Sequence, residues 1–356
     1  QRVIQQDPDL DGSASPFEPA APPEAVTPLI GRDAEVDHLV QVVAKEGDRL
    51  VVLTGTGGVG KSRLGLEVAR RVAEAGWLPV AYVALSEITD PAVVASSVNG
   101  AFGVPDSWRE RPVAEVARSL GRSPVLVVID GVEHVLDSVR GIVTDLLRNG
   151  RHVRVLLTSR VPLGLPGERQ YAVAPMSIEP SESGEPFSAP ALQLFLDRCR
   201  RSSSSFTVGE HEISMVLNIC RAVDGLPLAL ELAAARVGTL GLAGLQRRLG
   251  ARLELLSAPH RAGDPRHRSL REVLSWSYEL LSPEARLLLA RLSVFAGGFT
   301  ATHVEEMWPG GRPLDVLVAF EELERHSLLA STPSEREPRF RLLDTIREFA
   351  LERLRE

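Results

Sequence analysis

The chain is short of lysine and cysteine. Lysine occurs only as Lys45 and Lys61, every other basic residue being arginine, so a lysine inside a motif stands out. The two cysteines, Cys199 and Cys220, fall in helical patterns with no second thiol or histidine at metal-ligand spacing, which argues against a zinc site and a disulfide framework. No apolar run reaches the roughly 18 residues that a membrane-spanning helix needs, and no charged start followed by an apolar stretch has the form of a signal peptide. With 44% hydrophobic and 24% charged residues, the expectation is a soluble, cytoplasmic chain. A net charge of −7 argues against holding nucleic acid through the overall field. A local basic run does exist at Arg261, Arg266, His267, Arg268 and Arg271.

At 356 residues the chain exceeds what one hydrophobic core organises, so two or three packed units are expected. Residues 12–28 are rich in Pro, Ala, Ser and Glu without an apolar period and read as an extended linker. From Leu29 the pattern becomes regular. A helix is expected over Asp33 to Ala44, followed by strands at Leu50 to Thr54, Val80 to Leu85, Val125 to Asp130, Val153 to Thr158 and Tyr171 to Ala174, with helical patterns between them. Continuous apolar strands alternating with helices imply a parallel sheet covered on both faces, hence an α/β domain over 29–176.

After the Ser, Glu and Pro stretch 177–190 the pattern turns all-helical: Ala191 to Arg201, Glu210 to Val223, and Leu226 to Val237 with further turns to Leu256. This predicts a helical domain over 177–259. A second linker, His260 to Arg268, precedes another helical set. There Ser327 to Ala330 pairs with Phe340 to Leu343 as a hairpin before the last helix, which describes a winged-helix domain over 260–356.

Gly55-Thr56-Gly57-Gly58-Val59-Gly60-Lys61-Ser62 follows a buried strand and precedes a helix expected over Arg63 to Ala75, the context that a phosphate loop requires. Glycines let backbone N–H groups turn toward phosphates without a Cβ clash, and the helix adds its positive end. Lys61 should reach the β and γ phosphates and Ser62 should ligate Mg²⁺. The α/β domain is therefore expected to be a P-loop NTPase domain binding ATP or ADP.

Asp130 ends the apolar strand and stands at its carboxyl edge, where open α/β sheets bind ligands; it is assigned to Mg²⁺, through water, or else is an ordinary strand-end acid. Hydrolysing domains of this kind often carry a second acid directly after the first, where this chain has Gly131. Glu133, two residues further on, either polarises the attacking water or is an acid at a helix start. Thr158-Ser159-Arg160 brings a hydroxyl and a guanidinium to the same edge, where Arg160 reads a terminal phosphate or is a plain loop arginine. Gly225-Leu226-Pro227-Leu228-Ala229-Leu230 opens a helix, with Pro227 in its first turn.

In combination, Leu29-Ile30-Gly31-Arg32, the phosphate loop, the Asp130 strand, Thr158 to Arg160 and Gly225 to Leu230 occur in the order found in STAND-class signalling ATPases of NB-ARC type. The resemblance continues through Arg268 to Arg271 and Trp276 to Pro283 to Phe340-Arg341-Leu342-Leu343-Asp344-Thr345. It implies a nucleotide-binding, a helical and a winged-helix domain closed around ADP at rest and opened by exchange for ATP, with slow hydrolysis and homo-oligomerisation in the ATP state. To Gly57, Gly58, Val59, Gly60, Lys61, Ser62 and Arg63 of the loop it adds Ile30, Arg32 on the adenine side and Pro227 against the base, and it gives Arg160 the sensing of phosphate. Relatives often carry a histidine before the acid of the last domain, touching the ADP β-phosphate; here that position is Leu343.

The chain most resembles actinobacterial transcriptional regulators, and Gln1 to Leu10 is similar to the end of the activation domain in SARP-type activators. That resemblance implies a DNA-binding activation domain upstream and a helical-repeat sensor downstream, with DNA and RNA polymerase engaged by the full-length protein. Two other readings stay open. One is an ATPase or kinase that turns over a substrate directly. The other is DNA contact by the basic run beside the winged helix, whose plain alternative is an interdomain linker facing acidic surfaces.

Overall fold

The computed structural model describes residues 18–19, 21–44, 48–86, 88, 90–180, 188–203, 206–256, 269–308, 313–332 and 337–356. The tail Gln1 to Leu10, residues 12–17 and 20 of the linker before Leu29, and the basic residues Arg261, Arg266, His267 and Arg268 lie outside the described residues. The chain divides into two compact units: the residues up to Thr54 with Lys61–Ala172, and Gly55–Gly60 with Val173–Glu356.

The first unit is built on five parallel strands, β1 (Leu50–Thr54), β2 (Val80–Ala84), β3 (Val125–Asp130), β4 (Val153–Thr158) and β5 (Glu168–Ala172), in the order β2-β3-β4-β1-β5. The register is level at the carboxyl ends, with Leu53 opposite Thr158 and Ile129 opposite Leu157, so the ends of β1, β3 and β4 open on one edge. β1 and β3 are buried at every residue, which is why their apolar runs were continuous and their bounds legible. β5 begins three residues earlier than the apolar signal suggests. It is an edge strand that pairs on one side only, so Glu168, Arg169 and Gln170 can be polar there.

Helices α1 (Asp33–Ala44), α2 (Lys61–Glu74), α3 (Pro91–Ala101), α4 (Asp106–Arg109), α5 (Val113–Ser119) and α6 (Leu136–Asn149) complete this unit. The helix expected from Arg63 starts two residues earlier, at Lys61. Its buried residues Leu64, Val68, Ala69 and Val72 recur at helical spacing, whereas the first turn carries Lys61 and Ser62, polar positions that periodicity misses. Burying each such Val or Leu is worth about 1.5–3 kcal/mol. Arg71 of α2 ties α1 by ion pairs to Asp33 at 2.8 Å and Asp37 at 2.6 Å.

In the second unit α7 (Pro190–Ser202), α8 (Glu210–Ala222) and α9 (Pro227–Arg248) pack together, followed by the single turn α10 (Arg252–Leu255). Pro227 is the first residue of α9, as expected, and the helix breaks at Gly241, whose φ of 62° and ψ of 168° are not helical. Among the described residues α9 is the one helix long and apolar enough to cross a membrane by length and composition, and 56% of its apolar window is buried inside the protein. Cys199 and Cys220 are buried free thiols, both pushed up to about 12 by burial.

The last part contains α11 (Leu270–Glu279), α12 (Pro283–Leu292), α13 (Ala301–Glu306), α14 (Pro313–Arg325), the hairpin β6 (Ala330–Thr332) and β7 (Arg339–Arg341), and α15 (Asp344–Arg355). The hairpin is displaced from the expected pairing: Ser331 faces Phe340, and Leu342 and Leu343 lie beyond the strand. Their apolar character reflects burial in the turn into α15, where both are 6% exposed. Phe340 crosses Phe320 edge-on at 4.8 Å and exchanges backbone hydrogen bonds with Phe299 at 2.7 and 2.8 Å, fixing the hairpin on the helices.

Candidate functional site

In the first unit the level strand ends place four charged side chains together with the start of α2. Asp130 closes β3, Thr158 closes β4, and Arg160 follows two residues later. All three are buried. Thr158 donates its hydroxyl proton to Asp130 Oδ1 and accepts the Gly131 N–H at 2.9 Å, so one hydroxyl fixes both the carboxylate and the turn after it. Ser62 adds a second hydroxyl to Asp130, and the Tyr82 hydroxyl lies at 3.5 Å from Oδ2.

Burial pushes the Asp130 carboxyl above its ordinary range; the Thr158 and Ser62 hydrogen bonds and the Lys61 charge pull it back, while Glu133 pushes it up. Burial likewise pulls the Lys61 ammonium down to about 8. Glu133 and Asp130 oppose that shift and Arg160 adds to it. Arg160 and Glu133 form an ion pair, Nε to Oε1 at 3.5 Å, with side chains 4% and 7% exposed. Two cations and two carboxylates thus share a buried edge. Glu133 lies beside Arg160 and acts on Lys61, so it stands within this cluster, in the turn before α6.

The chain has Gly131 where a second acid is common because the backbone there requires it. Its φ is +74°, and a Cβ would lie 2.8 Å from the Ser86 Cβ. Elsewhere in this unit Arg32 is 4% exposed and bonds both oxygens of Glu35 at 2.7 and 2.9 Å, Ile30 is half-buried, and Arg63 donates to the Thr27 carbonyl. The Tyr171 ring lies 5.9 Å from that of His38.

In the second unit, the loop Gly55–Gly60 meets the start of α9. Gly57 and Val59 are buried, and Leu228 donates its N–H to the Gly58 carbonyl at 3.2 Å. Gly58 has φ +78°, and a Cβ there would come within 3.1 Å of the Leu228 Cβ; Pro227 stands 3.8 Å from the Cβ position of Gly60. The structure therefore brings Pro227 to the glycines of the loop. Leu343 is the N-cap residue of α15 and makes no side-chain cap bond. That cap is supplied by Asp224, which sequence reasoning missed: its carboxylate accepts the N–H groups of Asp344 and Thr345 and the Thr345 hydroxyl at 3.0, 2.8 and 2.9 Å. The one local signal was the Asp224-Gly225 pair, a turn dipeptide in which Asp224 adopts φ 54°.

Comparison with known proteins adds a family context. Residues 28–158 match the AAA ATPase domain family and residues 281–355 the winged helix-turn-helix domain family. The chain is 35% identical over 309 residues, 86% of its length, to a Mycobacterium tuberculosis (strain ATCC 25618 / H37Rv) protein named as an HTH-type transcriptional regulator, Rv0890c, and covers 34% of that protein. It thus spans about a third of the length of that relative. It is 32% identical over 334 residues, 93% of its length, to the uncharacterized protein Rv0894 of the same organism, of which it covers 82%. Among solved structures, a STAND protein with a tetratricopeptide repeat sensor from Pyrococcus horikoshii matches 95% of this chain and 44% of that one, with 17% identity and a TM-score of 0.36. The fold is a parallel-sheet α/β P-loop ATPase domain followed by a helical region and a C-terminal winged helix-turn-helix domain.

Proposed function

We propose, from the premise that the chain belongs to the family of the mycobacterial protein Rv0894, that it is a nucleotide-operated switch within a transcriptional regulator. The finer reading is a STAND ATPase of NB-ARC type, with a nucleotide-binding part over 29–176, a helical part over 177–259 and a winged-helix part over 260–356. In it ADP and ATP favour different domain arrangements, and hydrolysis is slow. The observation that carries it is the sheet edge at which buried Lys61, Asp130, Thr158 and Arg160 converge with Glu133 and the exposed Ser62.

The residues present fit Mg²⁺ and a phosphate chain. Ser62 and Asp130 are hard oxygen donors already bonded to one another, the set that Mg²⁺ takes in small number beside phosphate. A bound Mg²⁺ would supply charge neutralisation on the phosphates. Lys61, buried and held at the head of α2, would hold the β and γ phosphates, and Arg160 would distinguish the terminal one. Ile30, Arg32, Arg63 and Pro227 would complete the nucleotide contacts with Gly57 to Gly60. Thr158 keeps the Asp130 carboxylate oriented, and Glu133 is the acid best placed by its surroundings to polarise water. A ligand shifts a conformational equilibrium only by its differential affinity for the two states, so the proposed switch depends on contacts that ADP lacks.

DNA and RNA polymerase would be engaged by other parts of a SARP-type full-length protein in the cytoplasm, joined to this core by an upstream activation domain and a downstream helical-repeat sensor. Homo-oligomerisation would accompany the ATP state. Helix α14, which precedes the hairpin, supports this division. Its exposed residues include Asp315, Val318, Glu321, Glu324 and Arg325, a surface of net negative charge, although Arg339 and Arg341 of the hairpin are exposed as well.

The test is to denature the purified protein, identify any released nucleotide, and repeat the analysis on Lys61→Ala. Retained ADP that disappears in the variant supports the switch. A protein purified empty that hydrolyses ATP rapidly without an activator points instead to an enzyme with direct turnover.

A further inference from the structure

Resting on the nucleotide-switch reading, we propose that Glu133 is the residue that sets the preference of the site between nucleoside diphosphate and triphosphate, acting as the resting counter-ion that a terminal phosphate must displace from Arg160.

Neither Arg160 nor Glu133 can satisfy its charge in water, since their side chains are 4% and 7% exposed, and each depends on charges inside the fold. The contact between them, Nε to Oε1 at 3.5 Å, is an ion pair longer than the 2.7–3.2 Å range of a well-formed hydrogen bond. Glu133 also acts electrostatically on Lys61. The acid therefore stands within the field of both cations that would face the outer phosphates.

A diphosphate leaves this arrangement as it is. A triphosphate brings further negative charge that competes for Arg160 through charge-assisted, fork-shaped hydrogen bonds and at the same time repels Glu133. Recruitment of Arg160 and release of Glu133 are then one event, and the ionised acid sets a threshold against the triphosphate. An acid at this position thus both opposes triphosphate entry and, once displaced, stands free beside it. With a glutamine at this position the threshold falls, because an amide neither neutralises the guanidinium nor repels phosphate.

The experiment measures binding of ADP and of the non-hydrolysable analogue AMP-PNP, each with Mg²⁺, to nucleotide-stripped protein. The variants are Glu133→Gln, Glu133→Asp, Arg160→Met and the double variant Glu133→Gln/Arg160→Met. The expected result is that Glu133→Gln tightens AMP-PNP about tenfold relative to ADP, within the span typical of coupling between groups. Glu133→Asp, which keeps the charge, is expected to restore most of the original ratio. The gain should vanish in the double variant, which removes both charges of the buried pair and so stays foldable if Arg160→Met alone does not. Equal changes for both nucleotides, or a gain that survives loss of Arg160, overturn the proposal. Failure of the unaltered protein to bind ADP at all would overturn the switch reading on which it rests, a distinct outcome read from the same titrations.

Discussion

Asp224 holds Thr345 through two hydrogen bonds, one from the Thr345 N–H at 2.8 Å and one from its hydroxyl at 2.9 Å, across a separation of 121 residues. With the Asp344 N–H at 3.0 Å, the same carboxylate satisfies three donors at the start of α15. It stands four residues before Leu228, whose N–H bonds the Gly58 carbonyl of the phosphate loop. One short segment therefore joins the loop to the final helix of the winged domain.

That relationship predicts the behaviour of Asp224→Ala. A helix N-cap is worth about 0.5–2 kcal/mol, and Leu343 offers no side-chain substitute, so chemical denaturation should show a loss of that size. Limited proteolysis should show new cleavage near α15. Asp224→Asn, which keeps one acceptor oxygen, should lose less. Equal stability of Asp224→Ala and the unaltered chain would mean that the cap is not used.

Lys61 predicts a pH dependence. Its ammonium titrates at about 8 in the fold against an ordinary 10.5, so between those values the unfolded chain keeps a proton that the folded chain has released. The unfolded state binding more protons makes stability rise with pH, and the rise attributable to Lys61 should span that window. Denaturation of nucleotide-stripped protein across the window should show it, and Lys61→Met should flatten it. Phosphate beside Lys61 would restore its proton, so ADP binding in the same window should take up protons, read as a dependence of binding enthalpy on the buffer.

The legible parts of the molecule were those with a one-dimensional signature. β1 and β3 are buried on both faces and wrote themselves as apolar runs, β4 did so but for Arg154, and the phosphate loop is a glycine-rich string before Lys61 and Ser62. β5 was misplaced because an edge strand pairs through its backbone and leaves Glu168 to Gln170 free to be polar. The hairpin was misplaced because Leu342 and Leu343 are apolar for reasons of packing rather than pairing. Arg160 with Glu133, and Asp224 with Thr345, were beyond reach. Their partners are set by which strand and helix ends the topology brings together, and no local pattern records that.

Thr158 predicts a split between affinity and metal dependence. Thr158→Val keeps the shape but removes the hydroxyl that donates to Asp130 and accepts the Gly131 N–H. Leaving such buried groups unsatisfied costs about 1–3 kcal/mol. The Asp130 carboxyl, already raised by burial, loses one of the hydrogen bonds that hold it down and so rises further. Weaker Mg²⁺ dependence of nucleotide binding is expected at neutral pH, with partial recovery at higher pH and nearly full recovery in Thr158→Ser. An unchanged Mg²⁺ titration in Thr158→Val would remove Thr158 from any positioning role.

Gly131 tests whether the missing second acid is a matter of backbone. Placing glutamate there, Gly131→Glu, puts a side chain on a residue at φ +74° and sets its Cβ 2.8 Å from that of Ser86. A left-handed conformation for a residue other than glycine costs about 1–3 kcal/mol, and the clash adds to it. The variant should therefore lose stability in denaturation without gaining hydrolysis, because the acid cannot settle at the strand edge. Gly131→Ala should lose stability similarly, separating strain from charge. A faster ATPase at unchanged stability in Gly131→Glu would show that this turn yields easily, and that the slow turnover expected of the chain follows from an absent carboxylate alone.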